Sequence, residues 1–296
     1  MKLSGKDALV NLLLLLLVMS LGLMLYGLVT TIGLYFHNGG GAGSSIPSLT
    51  DYLDTMNARQ LLVLQLLSHL CILILPAVVL SMYRPGITNY YRSYPPYLTF
   101  GIYALAFFIC SLPMTGFLSY VNSLFALPEW LTVRENEINA LLKRILSTHD
   151  WSDYIYVIVT VGLIPGIAEE WIFRGIIQNQ LVRLLGSPWA AILLSSIIFS
   201  SMHLQFEGFL PRMGLGFILG TIYYLGGNIL YSAMLHFLFN GIQVIYVSQI
   251  GVDSLDNKDF EAMKIIPAAI VSLILCYFMF RKLNQFKLRQ PWQQEL

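Results

Sequence analysis

Residues 168–175 read Ala-Glu-Glu-Trp-Ile-Phe-Arg-Gly, which sets two adjacent carboxylates, Glu169 and Glu170, and a guanidinium, Arg174, in an otherwise apolar stretch. A charged side chain at mid-bilayer costs roughly 2.5–3.5 kcal/mol even on the lenient insertion scale, so three facing lipid would sum to roughly 8–10 kcal/mol. They must face protein or water. Glu170 and Arg174 stand one helical turn apart in the favoured acid-before-base order, so that pair largely satisfies itself. Glu169 is turned about 100° from Glu170 and has no partner within its own helix. It needs one from another span. Immediately before it, Pro165-Gly166 removes a backbone hydrogen bond and loosens the helix. Membrane helices tolerate this where the chain faces protein or a watery cavity.

Two later spans offer partners. Phe199 and His203 share one helix face, as do His236 and Asn240. Counting rise from the cytoplasmic ends puts Glu169 and His203 about 20 Å deep and His236 about 12 Å, a mismatch for helix tilt to absorb. A buried carboxylate, two imidazoles and an amide supply a general base, an acid or metal ligand, and hydrogen-bond donors for peptide hydrolysis. Taken singly, His236 and Asn240 read equally well as interhelical hydrogen bonders. His69, in the second span, reads as structural, and His37 and His149, in loops, as solvated. Gly162 with Gly166, and Gly216 with Gly220, read as small-residue packing sites. Ser195, Ser196, Ser200 and Ser201 lie near His203 without a GxSxG turn, and no cysteine lies between residues 150 and 250, so serine and thiol mechanisms fit poorly.

The elements that must position these groups are membrane helices. The chain has 296 residues, 56% hydrophobic and only 11% charged, against roughly 25% charged in soluble domains. Eight apolar stretches of about 20 residues fit spans, near 8–36, 60–82, 97–121, 153–183, 188–204, 208–226, 228–250 and 262–281. The expected fold is therefore all-α, with about eight transmembrane helices. The first stretch is too long for a signal-peptide core and reads as an uncleaved span. Lys2, Lys6, Arg84, Arg92, Arg183, Arg281, Lys282, Lys287 and Arg289 outnumber Arg59, Arg134, Lys143, Arg144, Lys258 and Lys264 across the two sides. That bias places both termini in the cytoplasm, in the cell membrane.

Between the third and fourth spans, Ile138, Leu141, Leu142, Ile145 and Leu146 alternate with Glu135, Glu137, Lys143 and Arg144 at helical spacing, an amphipathic interfacial helix. The run His-Asn-Gly-Gly-Gly-Ala-Gly-Ser-Ser-Ile-Pro-Ser from residue 37 reads as a flexible connector. Residues 1–150 form a three-span N-terminal part with that interfacial helix, 151–250 a core holding the buried polar groups, and 251–296 a last span with a basic tail. A net charge of +1 gives no reason to expect nucleic acid. Cys71, Cys110 and Cys276 are scattered singly and read as small buried hydrophobes.

In order along the chain, Glu169-Glu170-Trp171-Ile172-Phe173-Arg174, Phe199 to His203 and His236 to Asn240 match the patterns EExxxR, FxxxH and HxxxN. Across roughly residues 155–245 the sequence resembles the CAAX protease and bacteriocin-processing family (CPBP, or Abi) of intramembrane glutamic endopeptidases. The resemblance implies an eight-helix membrane peptidase without a cofactor or metal, acting on a membrane-associated peptide or protein in the bilayer. It implies that Glu169 and His203 activate water, that His236 and Asn240 form an oxyanion hole, and that Glu170 and Arg174 hold the site together, with Phe199 in the second motif. Three rival readings stay open on the residues alone. One is a zinc protease using Glu169, Glu170, His203 and His236, though HExxH is absent. The others are a proton-coupled transporter, since intramembrane Glu and His also mark proton relays, and a non-catalytic, immunity-type membrane protein.

Overall fold

A computed structural model describes residues 5–37, 53, 55–84, 87, 97–146, 151–250 and 262–286. Among these no residue is in a strand, and the chain is an all-α, polytopic membrane protein. Nine helices follow one another among the described residues. They are α1 (Gly5–His37), α2 (Ala58–Tyr83), α3 (Leu98–Ser123), α4 (Glu129–Leu146), α5 (151–185), α6 (Pro188–Met202), α7 (Phe209–Gly226), α8 (Ile229–Ile250) and α9 (Ala262–Gln285). Helices α1, α2, α3, α5, α8 and α9 are long and apolar enough to cross a membrane.

The fifth and sixth expected spans are the short ones. Helix α6 has 15 residues and α7 has 18, so at about 1.5 Å per residue they reach roughly 22 and 27 Å, against a hydrocarbon core of about 30 Å. Local sequence explains where they stop. Gly186 takes the left-handed conformation (φ 64°) that ends α5, Ser187 caps the next helix by accepting from the amide of Ala190, and Pro188 opens it without needing an N–H. Gly227 (φ 65°) ends α7 in the same way.

Helix α5 is the most buried of the spans and is not a regular α-helix. Two π-helical stretches, Ile158–Leu163 and Trp171–Gln178, flank a single α-helical piece, Ile164–Glu170, that ends on the two glutamates. Helix α2 carries a third, Leu70–Ile74, which starts on the residue after His69. Each π turn inserts an extra residue and re-aims the side chains beyond it, a geometry that clusters at functional sites. Periodicity cannot reveal this, because the apolar pattern runs through it.

Close approach sets the helix spacing. A Cβ on Gly166 would lie 2.9 Å from the amide nitrogen of Phe237 and 3.2 Å from the carbonyl oxygen of Ala233, both backbone atoms of α8. The expected packing role of Gly216 also has a physical basis, since a Cβ there would meet Phe199 and Ser196 at 3.2 Å. Backbone cannot swing aside as a side chain can. Gly166→Ala is therefore expected to force α5 and α8 apart and to cost about 1–3 kcal/mol of stability, the range for overpacking. A melting curve in detergent that matches wild type would show that the helices yield freely.

Helix α4 does more than lie on a surface. Glu135, expected on its polar face, is buried and accepts hydrogen bonds from the backbone amides of Phe206 and Glu207 (3.2 Å for the latter). Arg144, also expected there, donates to the carbonyls of Leu53 and Met56. From α3, Asn122 donates to the carbonyl of Phe206 (3.0 Å) and accepts from the amide of Leu210 (2.9 Å). Together α3 and α4 pin the α6–α7 loop, in which Leu204 adopts a positive φ of 54°. This strained turn follows His203, the C-cap of α6, so tertiary contacts hold that imidazole in place. The Gly/Ser connector from residue 38 onward, His149, the side chain of His37, Lys258, and the tail with Lys287 and Arg289 lie outside the described residues.

Candidate active site

Glu169 leaves the α-helical piece of α5 toward three imidazoles from three other helices. Its Oε1 lies 3.4 Å from Nε2 of His69 on α2. Its Oε2 lies 4.0 Å from Nε2 of His203, at the end of α6, and 3.9 Å from Nε2 of His236 on α8. Oε2 is buried and has no hydrogen-bond partner among the described residues. The last two separations are too long for direct hydrogen bonds. They suit a water molecule between the groups. The depth mismatch expected between Glu169 and His236 is therefore absent: close packing of α8 on α5 brings the three residues to one level.

Each imidazole is fixed through its other nitrogen. Nδ1 of His69 lies 2.9 Å from the carbonyl of Gln65, and Nδ1 of His203 lies 2.9 Å from the carbonyl of Phe199. A carbonyl only accepts, so both Nδ1 atoms carry the proton. Nδ1 of His236 lies 3.2 Å from Oε1 of Glu170, and Oε2 of that carboxylate pairs with Nε of Arg174 at 3.0 Å. Glu170 and Arg174 are fully buried, and the guanidinium stacks over the Phe199 ring at 5.4 Å. Phe199 in turn contacts both His203 and His236 edge-on. The chain Arg174–Glu170–His236 thus links one imidazole to a buried ion pair.

Asn240, one turn beyond His236, donates to the carbonyl of Val161 in the first π stretch of α5 (3.3 Å). Its amide has a second N–H. The site opens onto a cavity of about 880 Å³ lined by Glu169, His203, His236 and Asn240 together with Gln205 and Arg212. A smaller hollow of about 180 Å³ reaches Glu169, His69 and His203 from the side of Met202 and Phe173. Arg212 is held by both the side chain and the carbonyl of Gln205, at 2.6 and 2.7 Å.

The seven residues singled out in the sequence, Glu169, Glu170, Arg174, Phe199, His203, His236 and Asn240, all lie at or beside one cavity. His69 does too, where it was expected to be only structural. One histidine in an apolar span carries no signal for this, and a bond to its own i−4 carbonyl looks complete. Gln205, Arg212 and Glu135 are not marked as site residues by the sequence: Gln205 lies in a loop without periodicity, Arg212 on α7 belongs to no motif, and Glu135 on α4 reads as part of a polar helix face. The four serines of α6 each donate to a backbone carbonyl, of Phe173, Ile192, Phe209 and Ile197. Their hydroxyls are engaged in packing. All three cysteines are free thiols. Among the described residues no three of His, Cys, Asp and Glu are arranged to hold a metal ion.

Comparisons with curated proteins and with solved structures find no match. Residues 151–242, the stretch that holds all seven of the motif residues, match the family model "Rce1-like: Type II CAAX prenyl endopeptidase Rce1-like", in agreement with the CPBP family that the three motifs resemble.

Proposed function

We propose that this protein is an intramembrane endopeptidase that hydrolyses a peptide bond in a membrane-associated protein or peptide, of CAAX type or a related processing substrate. The observation that carries the reading is the convergence of His203 and His236 on the unpaired oxygen of Glu169, at the wall of an 880 Å³ cavity. Both termini would face the cytoplasm of the cell membrane, as the Lys/Arg bias indicates.

The chemistry follows from the donors and acceptors. A water between Glu169 Oε2 and His203 Nε2 gives one hydrogen to each, because Nε2 of His203 presents a lone pair. Its own lone pair then faces the cavity. On attack, the water oxygen bonds to the scissile carbonyl carbon and its proton passes to Glu169. With Nδ1 committed to Glu170, Nε2 of His236 donates as the imidazolium, whose charge Glu170 faces. That donor and the second N–H of Asn240 receive the oxyanion. Glu169 next returns the proton to the leaving nitrogen, the C–N bond breaks, and a carboxylic acid and an amine leave.

The test is purified protein in liposomes with peptides ending in Cys-aliphatic-aliphatic-X, prenylated and not, read by mass spectrometry with and without a strong chelator. Release of the terminal tripeptide that survives chelation supports the proposal. No cleavage of any membrane-bound peptide, or activity lost to chelator and restored by zinc, would sink it. Asn240→Ala should lower kcat by about 10²–10³, the usual loss for one oxyanion donor, with KM little changed. An unchanged kcat would remove Asn240 from the oxyanion hole.

A further inference from the structure

We propose that His69 is a positioning residue for Glu169, a third imidazole that holds one carboxylate oxygen so that the other faces the reacting water. The proposal rests on the peptidase reading above. It begins from an asymmetry. His203 and His236 both stand at Oε2 of Glu169, and among the described residues His69 alone stands at Oε1, at 3.4 Å. The terminal torsion of a glutamate is broad and nearly two-fold, so an untethered carboxylate exchanges its oxygens. His69 removes that freedom.

The tautomer strengthens the argument. Nδ1 of His69 spends its proton on the carbonyl of Gln65, so a neutral ring would turn a lone pair toward an acceptor oxygen. A proton on Nε2 turns that 3.4 Å contact from a meeting of two lone pairs into an attraction. In the proposal His69 and Glu169 share one, which leaves Oε2 as the free acceptor.

A second, independent feature aims the ring. The π turn Leu70–Ile74 begins immediately after His69, and the carbonyl of Cys71 within it is pressed onto α1 at Gly22, where a Cβ would lie only 2.0 Å from the oxygen. Only glycine admits that approach. Three helices thus serve one imidazole contact: α1 seats the turn, α2 carries the ring, and α5 presents the acid.

The experiment compares wild type, His69→Leu, His69→Gln and Gly22→Ala on one cleaved peptide. It adds ¹⁵N NMR of histidine-labelled wild type and Glu169→Gln. His69→Leu should lower kcat by about ten- to a hundredfold, the range for losing a hydrogen bond to a charged group, with KM within about threefold. His69→Gln, whose amide can still donate to Oε1, should recover most of that loss. Gly22→Ala should reproduce the kcat defect without changing His69 or Glu169 themselves. The NMR should show a proton on Nε2 of His69 that is lost in Glu169→Gln.

Retention of kcat in His69→Leu, an equal loss in His69→Gln, or a loss confined to KM overturns the proposal and leaves the peptidase reading intact. A bare Nε2 in wild type overturns it even if a variant fails to fold. Full hydrolysis by Glu169→Gln removes Glu169 as the base, and the role of His69 with it, whereas no cleavage by wild type sinks the peptidase reading itself.

Discussion

Glu169→Gln is expected to lower kcat for peptide cleavage by about 10²–10⁴, the contribution of a positioned general base, while the protein remains folded. Glutamine keeps the shape of the side chain and removes its capacity to take a proton from water. It leaves no orphan guanidinium, because Glu169 has no cation of its own within α5 and Arg174 pairs with Glu170 at 3.0 Å. Glu169→Gln should melt within about 1 kcal/mol of wild type, since a buried amide can still meet Nε2 of His69. Rate and melting temperature measured on the same preparation decide the matter. Substantial cleavage by a folded Glu169→Gln protein would falsify its assignment as the base.

Arg174→Leu should act on stability. It strands the Glu170 carboxylate, fully buried, beside His236 with no guanidinium. Removing one partner of a buried pair typically costs about 3–5 kcal/mol, because the remaining charge is uncompensated. The same change removes the cation over the Phe199 ring, worth about 2 kcal/mol or more when desolvated. These terms overlap and do not add. The double change Glu170→Gln with Arg174→Leu removes both members of the ion pair and should recover much of the loss. Denaturant titration in detergent reads both, and an Arg174→Leu midpoint equal to that of wild type would show that leaving Glu170 without its guanidinium costs nothing. Activity should fall in both variants, since His236 loses the carboxylate that fixes its Nδ1.

Much was legible without coordinates because it is local. The spacing of Glu170 and Arg174 pairs them on any helix, and the same spacing leaves Glu169 without a partner of its own. Apolar run length marks the helices, and Gly186-Ser187-Pro188 announces a stop and a start. The amphipathic pattern of α4 is likewise present in the residues, although it suggested that Glu135 faces solvent.

What tertiary structure alone decided concerns distances between helices. Glycine contacts at Gly166 and Gly22 let backbones close to a separation that no pattern encodes, and π turns in α2 and α5 rotate side chains away from where a regular helix would carry them. His69 meets Glu169 only through those two effects, and Glu135 reaches the loop behind His203 only because α4 folds over it. The physical reason is that a helix fixes the direction in which a side chain leaves it, from a few neighbouring residues. Which group that side chain then meets depends on packing summed over the whole chain.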